Sequence, residues 1–238
     1  MQRSTASVTR RHFMRTSFCD FLFCCAVLPI LCRAATERKS KGPSHLNWYS
    51  FVDELESVAR QQHYPAWNHD KYVNDVVALA SRLDLNEQII SLAQAAYRDL
   101  HPFYPEFKDL LYTTDVQVSL ITFEKNEIIP HHDHPHMTGV MTCAVGSVAV
   151  QEYDIADTLD SSRLLLTHAG SRVLTSGQSS TLTPQSRNVH AVKSTIFSQV
   201  IDIFTPAYND RSRMMTQWFE VEPNSIDGKG ETFVAHVK

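Results

Sequence analysis

The sequence predicts a mainly β protein, an antiparallel barrel or jelly roll preceded by N-terminal α-helices. Three observations carry this. Apolar residues repeat at helical spacing up to about residue 101 and at a period of two from Asp115 onward. Short β-rich runs then recur between turn signals, as antiparallel barrels require. The composition, 43% hydrophobic and 20% charged over 238 residues, suffices for one packed domain with appendages and excludes a disordered or collagenous chain.

The first element is not expected to belong to the fold. Residues 1–35 carry five arginines and one acid, with an apolar run from Phe21 to Cys32 followed by Arg33-Ala34-Ala35. This order reads as a targeting, signal-like or anchoring segment. Thr9-Arg10-Arg11-His12-Phe13-Met14 also resembles a twin-arginine export signal, and the Arg- and Ser-rich start equally suits an organelle transit peptide. The expected location is therefore secretory, membrane-anchored or organellar, with the cytoplasm as the alternative if the segment is not processed. No apolar run reaches the ~18 residues of a membrane span.

Residues 36–46 read as a polar linker, and 47–110 as a helical region that packs on the barrel. Phe51, Leu55 and Val58 share one helical face, as do Val76, Leu79 and Leu83. Asn86–Ala96 is rich in Ala and Leu, with Asp84 or Asn86 as its cap, and His101-Pro102 ends the helical stretch. These helices carry no recognisable chemistry.

Residues 111–238 form the expected barrel domain. Val116, Val118 and Leu120 alternate with Gln117 and Ser119 as a half-buried strand. Val140–Val145, Val148–Tyr153, Arg163–Thr167, Ser180–Thr183 and Ser198–Thr205 follow, with turns expected at Gly146-Ser147, Asp154–Ser162, Gly170-Ser171, Ser176-Gly177 and Pro184–Asn188. Beyond residue 35 the chain holds 17 basic and 25 acidic residues, which argues against nucleic acid as a partner. Four of the five cysteines lie in the first 32 residues, so the body, with Cys143 alone, contains no internal disulfide.

The densest chemical signal is Ile129-Pro130-His131-His132-Asp133-His134-Pro135-His136-Met137, four histidines in six residues. Positions i and i+2 of a strand share a face, so His132 and His134 can converge on one metal. Neutral imidazole suits Fe, Zn, Cu or Ni. The plainer reading is a His-rich loop without a metal. A third ligand must come from a distant segment, and His190 and His168 compete for that place.

These residues resemble a known family. Ile129-Pro130 ahead of His132-Asp133-His134-Pro135, then a segment ending in Gly146-Ser147-Val148, Asn188-Val189-His190, and Ile201-Asp202-Ile203 leading to Pro206-Ala207-Tyr208 are similar, from about Asp115 to Phe219, to the cupin thiol dioxygenases. The nearest branch is cysteamine dioxygenase with the plant cysteine oxidases. The resemblance implies a cupin barrel (a double-stranded β-helix) and a ferrous iron, Fe(2+), held by His132, His134 and His190. His131 falls on a variable position. The carboxylate that many other cupins place beyond H-x-H is missing, since the stretch reads Met137-Thr138-Gly139. Three neutral ligands leave the ion its full charge, favouring a thiolate. Tyr208 matches the family's active-site tyrosine. Asp202, a carboxylate in an apolar strand, is a second catalytic candidate: an acceptor that orients a ligand histidine, an acceptor near a substrate amine, or a strand-end residue reaching water.

The chain also departs from the family. His136 and Arg187 stand where glycines are usual. Asp210–Phe219 replaces a segment that tends to carry Gly-Arg, a cysteine and paired tyrosines, so a cysteine–tyrosine crosslink lacks its thiol. The resemblance implies an iron-dependent thiol dioxygenase that converts cysteamine, free cysteine or a peptide's N-terminal cysteine to a sulfinic acid with O₂. A monomer is expected. The alternatives are a non-catalytic metal- or ligand-binding cupin and, less well matched by the flanking motifs, a zinc hydrolase.

Overall fold

The computed structural model describes residues 45–83, 105–209 and 215–238, all within the unit Lys41–Lys238. The expected targeting segment, most of the linker, the Asn86–Ala96 helix and Asp210–Met214 lie outside the described residues. Among the described residues two helices come first, α1 (Trp48–Ala59) and α2 (His69–Ala80), joined through a single 3₁₀ turn over Arg60–His63. Each has an asparagine cap: Asn47 Oδ1 accepts from the Ser50 amide and Asn68 Oδ1 from the Lys71 amide.

Eleven strands follow among the described residues: β1 (Glu106–Tyr112), β2 (Gln117–Phe123), β3 (Ile128–His132), β4 (Thr138–Val145), β5 (Ser147–Asp160), β6 (Arg163–Thr175), β7 (Ser179–Leu182), β8 (Val189–Ser194), β9 (Ser198–Thr205), β10 (Phe219–Val221) and β11 (Thr232–Val237). They form two antiparallel sheets, ordered β1-β2-β9-β4-β7 and β10-β11-β6-β5-β8-β3, which make the mainly β barrel that the sequence predicts.

The five-stranded sheet is buried on both faces. Outward, Val118, Leu120, Val140, Ile201 and Ile203 pack with Phe51, Leu55, Val76 and Leu79 of the helices. Inward, Ile121, Phe123, Met141, Cys143 and Val200 meet Val148, Val150 and Val192 of the other sheet. A smaller core, with Tyr153, Leu166, Val189, Phe219 and Ala235, lies among strands β5, β6, β8, β10 and β11. The six-stranded sheet meets itself there, because Trp218, just ahead of β10, forms an antiparallel bridge with His132.

Several expectations are revised. The boundary placed at 110/111 falls inside β1, which pairs with β2 along its whole length. The turn expected over Asp154–Ser162 is confined to residues 161–162, and Asp154–Asp160 and Gly170-Ser171 belong to the long β5–β6 ribbon. That ribbon is bulged between Glu152 and Tyr153, Ile155 and Asp157, and Thr158 and Asp160. It is solvent-exposed over much of this length, so no apolar alternation marks it as strand.

Candidate metal centre

β3 and β8 lie side by side, and His132 and His190 are cross-strand partners. Directly opposed residues point to the same face, here the barrel interior. His134 is not on the strand. It lies beyond β3, and Asn188 brings it into place: its Oδ1 accepts from the His134 amide (2.9 Å) and its Nδ2 donates to the His134 carbonyl (3.0 Å). The asparagine of the Asn188-Val189-His190 motif thus ties one ligand segment to the other.

The three rings are buried, with centroids 4.6–4.9 Å apart, and each offers a nitrogen within 4.8 Å of the others. The Nε2 atoms of His134 and His190 are 3.1 Å apart. Burial, reinforced at His134 and His190 by the neighbouring imidazoles, holds these two well below the usual histidine range. Burial also brings His132 down to about 4, against the Pro130 carbonyl, which favours the charged form. All three are therefore neutral at physiological pH. His132 Nδ1 donates to the Pro130 carbonyl at 2.8 Å, and the His134 Nδ1 meets the Tyr208 hydroxyl. The Pro130 carbonyl fixes Nδ1–H on His132, the Tyr208 hydroxyl can accept from Nδ1–H of His134, and in these tautomers the Nε2 lone pairs converge. Such a donor set fits a divalent transition metal, and among the described residues no carboxylate shares it.

The rings are also wedged from the sides. Trp218 stacks on His132 (4.8 Å between centroids) and Phe204 on His134 (4.5 Å). Gly139 allows the second contact, since a Cβ there would lie 2.6 Å from the Phe204 ring.

The cluster borders a cavity of about 580 Å³ lined also by Asp109, Gln117, Ser119, Met141, Asp202 and Tyr208. Asp202 is half-buried and mid-strand, between Ser119 of β2 and Met141 of β4. It is not the strand-end residue reaching water that one reading allowed. Burial pushes its carboxyl up to about 7, against a backbone hydrogen bond from Ile203. The Nδ1 atoms of His132 and His134 are engaged elsewhere, so Asp202 does not set those two tautomers.

The rival histidines go elsewhere. His168, on β6, bonds Ser171 through Nε2 (2.8 Å). It borders a separate cavity of about 370 Å³ with His131, which faces away from His132. His136 is exposed. Both departures from family glycines, His136 (φ 63°) and Arg187 (φ 56°), occupy left-handed backbone, which is the conformation glycine adopts at least cost. Arg187 has a compensation: its Nε is 3.9 Å from Glu152, a buried carboxylate also bonded by Arg172 and Ser180.

Sequence reasoning passed over Trp218, Gln117 and Asp109. Trp218 stands in the segment noted only for its missing cysteine. Gln117 and Ser119 do form the polar face of β2, but that face is buried and lines the cavity, so the strand expected to be half-buried is covered on both sides.

An antiparallel two-sheet barrel with three neutral histidines gathered at an internal cavity defines the class as a metal-binding cupin. Within that class the chain belongs to the PCO_ADO family, the plant cysteine oxidases and cysteamine dioxygenases, whose family model matches residues 80–233. No curated protein matches the chain. Among solved structures it is similar to an RmlC-like cupin from Shewanella frigidimarina, at 19% identity and a TM-score of 0.40, over 50% of this chain and 90% of that one. It is also similar to KdgF from Halomonas sp., at 18% identity and a TM-score of 0.39, over 50% and 93% of the two chains.

Proposed function

We propose that the chain is an iron(II)-dependent thiol dioxygenase that adds both atoms of O₂ to a thiol, R–SH + O₂ → R–SO₂H. Sulfur supplies all the electrons that O₂ takes up, so no external reductant is needed. The observation that carries the reading is the cluster of three buried, neutral histidines with no carboxylate, at a cavity large enough for an organic thiol, in a chain of this family. Bound by His132, His134 and His190, ferrous iron would supply thiolate binding and O₂ activation.

The protein's own residues prepare the site. Tyr208 holds His134 by its Nδ1 and stands at the cavity, where its hydroxyl is placed to hydrogen-bond an oxygenated substrate. Asp202, with its carboxyl near 7, is a partly ionised acceptor for the ammonium that cysteamine and an N-terminal cysteine both carry. Phe204 and Trp218 exclude water from the ring faces. A cavity of about 580 Å³ is within the range that encloses drug-sized ligands. It favours the N-terminal cysteine of a peptide over cysteamine or free cysteine.

The test is iron loading followed by O₂ uptake with cysteamine, cysteine and a peptide with N-terminal cysteine, the product weighed by mass spectrometry. Uptake with a gain of two oxygen atoms on the peptide is the expected result. Metal retention without uptake for any thiol would favour the non-catalytic cupin. We also propose that residues 1–35 decide location and are dispensable for turnover, and that the enzyme is a monomer. Expression of 36–238, with its oligomeric state and iron content measured, tests both.

A further inference from the structure

Tyr208 reaches His134 from three residues beyond the end of β9, outside any strand and only half-buried. A hydroxyl on such a segment fixes an imidazole only if its own main chain is fixed. Two contacts from the β1–β2 hairpin do this. Gln117 Oε1 accepts from the Tyr208 amide at 3.1 Å, and the Tyr112 hydroxyl donates to the Tyr208 carbonyl at 2.5 Å.

The Gln117 amide has two possible orientations, and Asp109 selects one. Asp109 Oδ1 accepts from Gln117 Nε2 (2.7 Å) and from the Ser119 hydroxyl (2.7 Å). A carboxylate only accepts, so the amide nitrogen must face Asp109 and the amide oxygen must face Tyr208. The reverse orientation would set an amide donor against the Tyr208 N–H and an amide oxygen against the carboxylate. Gln117 is buried, so neither mismatch is relieved by water.

We propose that Asp109 and Gln117 are positioning residues of the metal centre, acting on His134 through Tyr208. This inference rests on the three-histidine metal site proposed above. The chain of contacts runs from the cavity rim to a ligand ring: Asp109 orients Gln117, Gln117 seats the Tyr208 main chain, and Tyr208 holds the His134 ring at Nδ1. Asp109 lies on the edge strand β1, where charged residues ordinarily do no more than face water.

A double-mutant cycle tests it on the full chain. Loaded with cobalt(II), whose visible bands report ligand geometry, Tyr208→Phe is expected to shift the spectrum. Gln117→Leu and Asp109→Ala are expected to shift it in the same direction, with the metal content of wild type. Neither is expected to shift it further in the Tyr208→Phe background. With iron, kcat is expected to fall about tenfold in Gln117→Leu while KM changes less than about twofold. Asp109→Asn, which keeps an acceptor oxygen, should recover most of what Asp109→Ala loses. An unchanged cobalt spectrum in Asp109→Ala, or losses that multiply with Tyr208→Phe, would overturn the proposal and assign these residues to direct substrate contact or to packing. Asp109 is exposed, so Asp109→Ala carries the cycle if Gln117→Leu does not fold. The cobalt arm needs no turnover: a shifted spectrum in a protein that oxidises no thiol would sink the dioxygenase reading and leave this one standing.

Discussion

The five-stranded sheet packs against α1 and α2 on its outer face and lines the cavity with its inner one, whereas the six-stranded sheet carries His132 and His190 and is backed by its own last strands. One wall of the barrel thus has the thicker support, and the other has the ligands. The facing wall contributes Asp202, Phe204 and the Asp109–Gln117 pair, side chains that line the cavity and are not among the three clustered histidines. Separating the two roles means that stability and metal binding are expected to respond to different substitutions.

The largest effect expected is on the ligand wall. His132→Ala, His134→Ala and His190→Ala should each abolish metal retention, whereas His131→Ala and His168→Ala should retain it; metal content of purified protein reads this directly. Retention by His190→Ala would break the comparison outright. Next comes the supported wall. Leu55→Ala, which opens a cavity between α1 and the sheet, is expected to cost about 3 kcal/mol in chemical denaturation and to leave metal content unchanged. Metal loss in that variant would show that the walls are not independent.

Asp202→Asn bridges the two. It should lower O₂ uptake by ~10–100-fold with iron content preserved. It also carries a pH signature in the metal-free protein. Its folded carboxyl is raised from 3.8 to about 7, so the native state holds a proton that the unfolded chain releases. The stability this contributes is full below about pH 4 and is lost as pH rises through about 7. The variant's Tm should therefore match wild type near pH 4 and exceed it by roughly 10 °C near pH 8. Asp133, raised to about 6 by burial, keeps its own slope in both proteins. Equal Tm differences at both pH values would remove Asp202 from the cavity's charge balance.

The smallest effect concerns the left-handed positions. His136→Gly relieves strain at an exposed site and should stabilise by on the order of 0.5 kcal/mol. Arg187→Gly relieves similar strain but strips a cation from buried Glu152, so it should not stabilise.

Legibility followed the same division. β2, β4 and β9 were readable because their residues are apolar on one or both faces. β1 was not: Glu106-Phe107-Lys108-Asp109 mixes charge and apolar residues, as an edge strand does. β3 is short and contains Pro130, which discourages a strand assignment. For the centre, the spacing of His132 and His134 and the motif around His190 were visible in the chain, although the i, i+2 argument misplaced His134 on a strand. The contacts that orient the ligands were not visible. Pro130 acts through its carbonyl and Gln117 across 91 positions, and neither leaves a local pattern.

The bridge between Trp218 and His132 has one more consequence. β3 ends the order of its sheet, and an end strand offers unpaired amides to any passing chain, a route to aggregation. Here the Asp133 amide donates to the Gln217 carbonyl at 3.1 Å, and the Gln217 amide to Asp133 Oδ1 at 2.7 Å. The same segment that stacks an indole on a ligand ring therefore seals the seam beside it. A protein that must keep an open cavity next to a strand terminus is protected there from templating a second copy of itself.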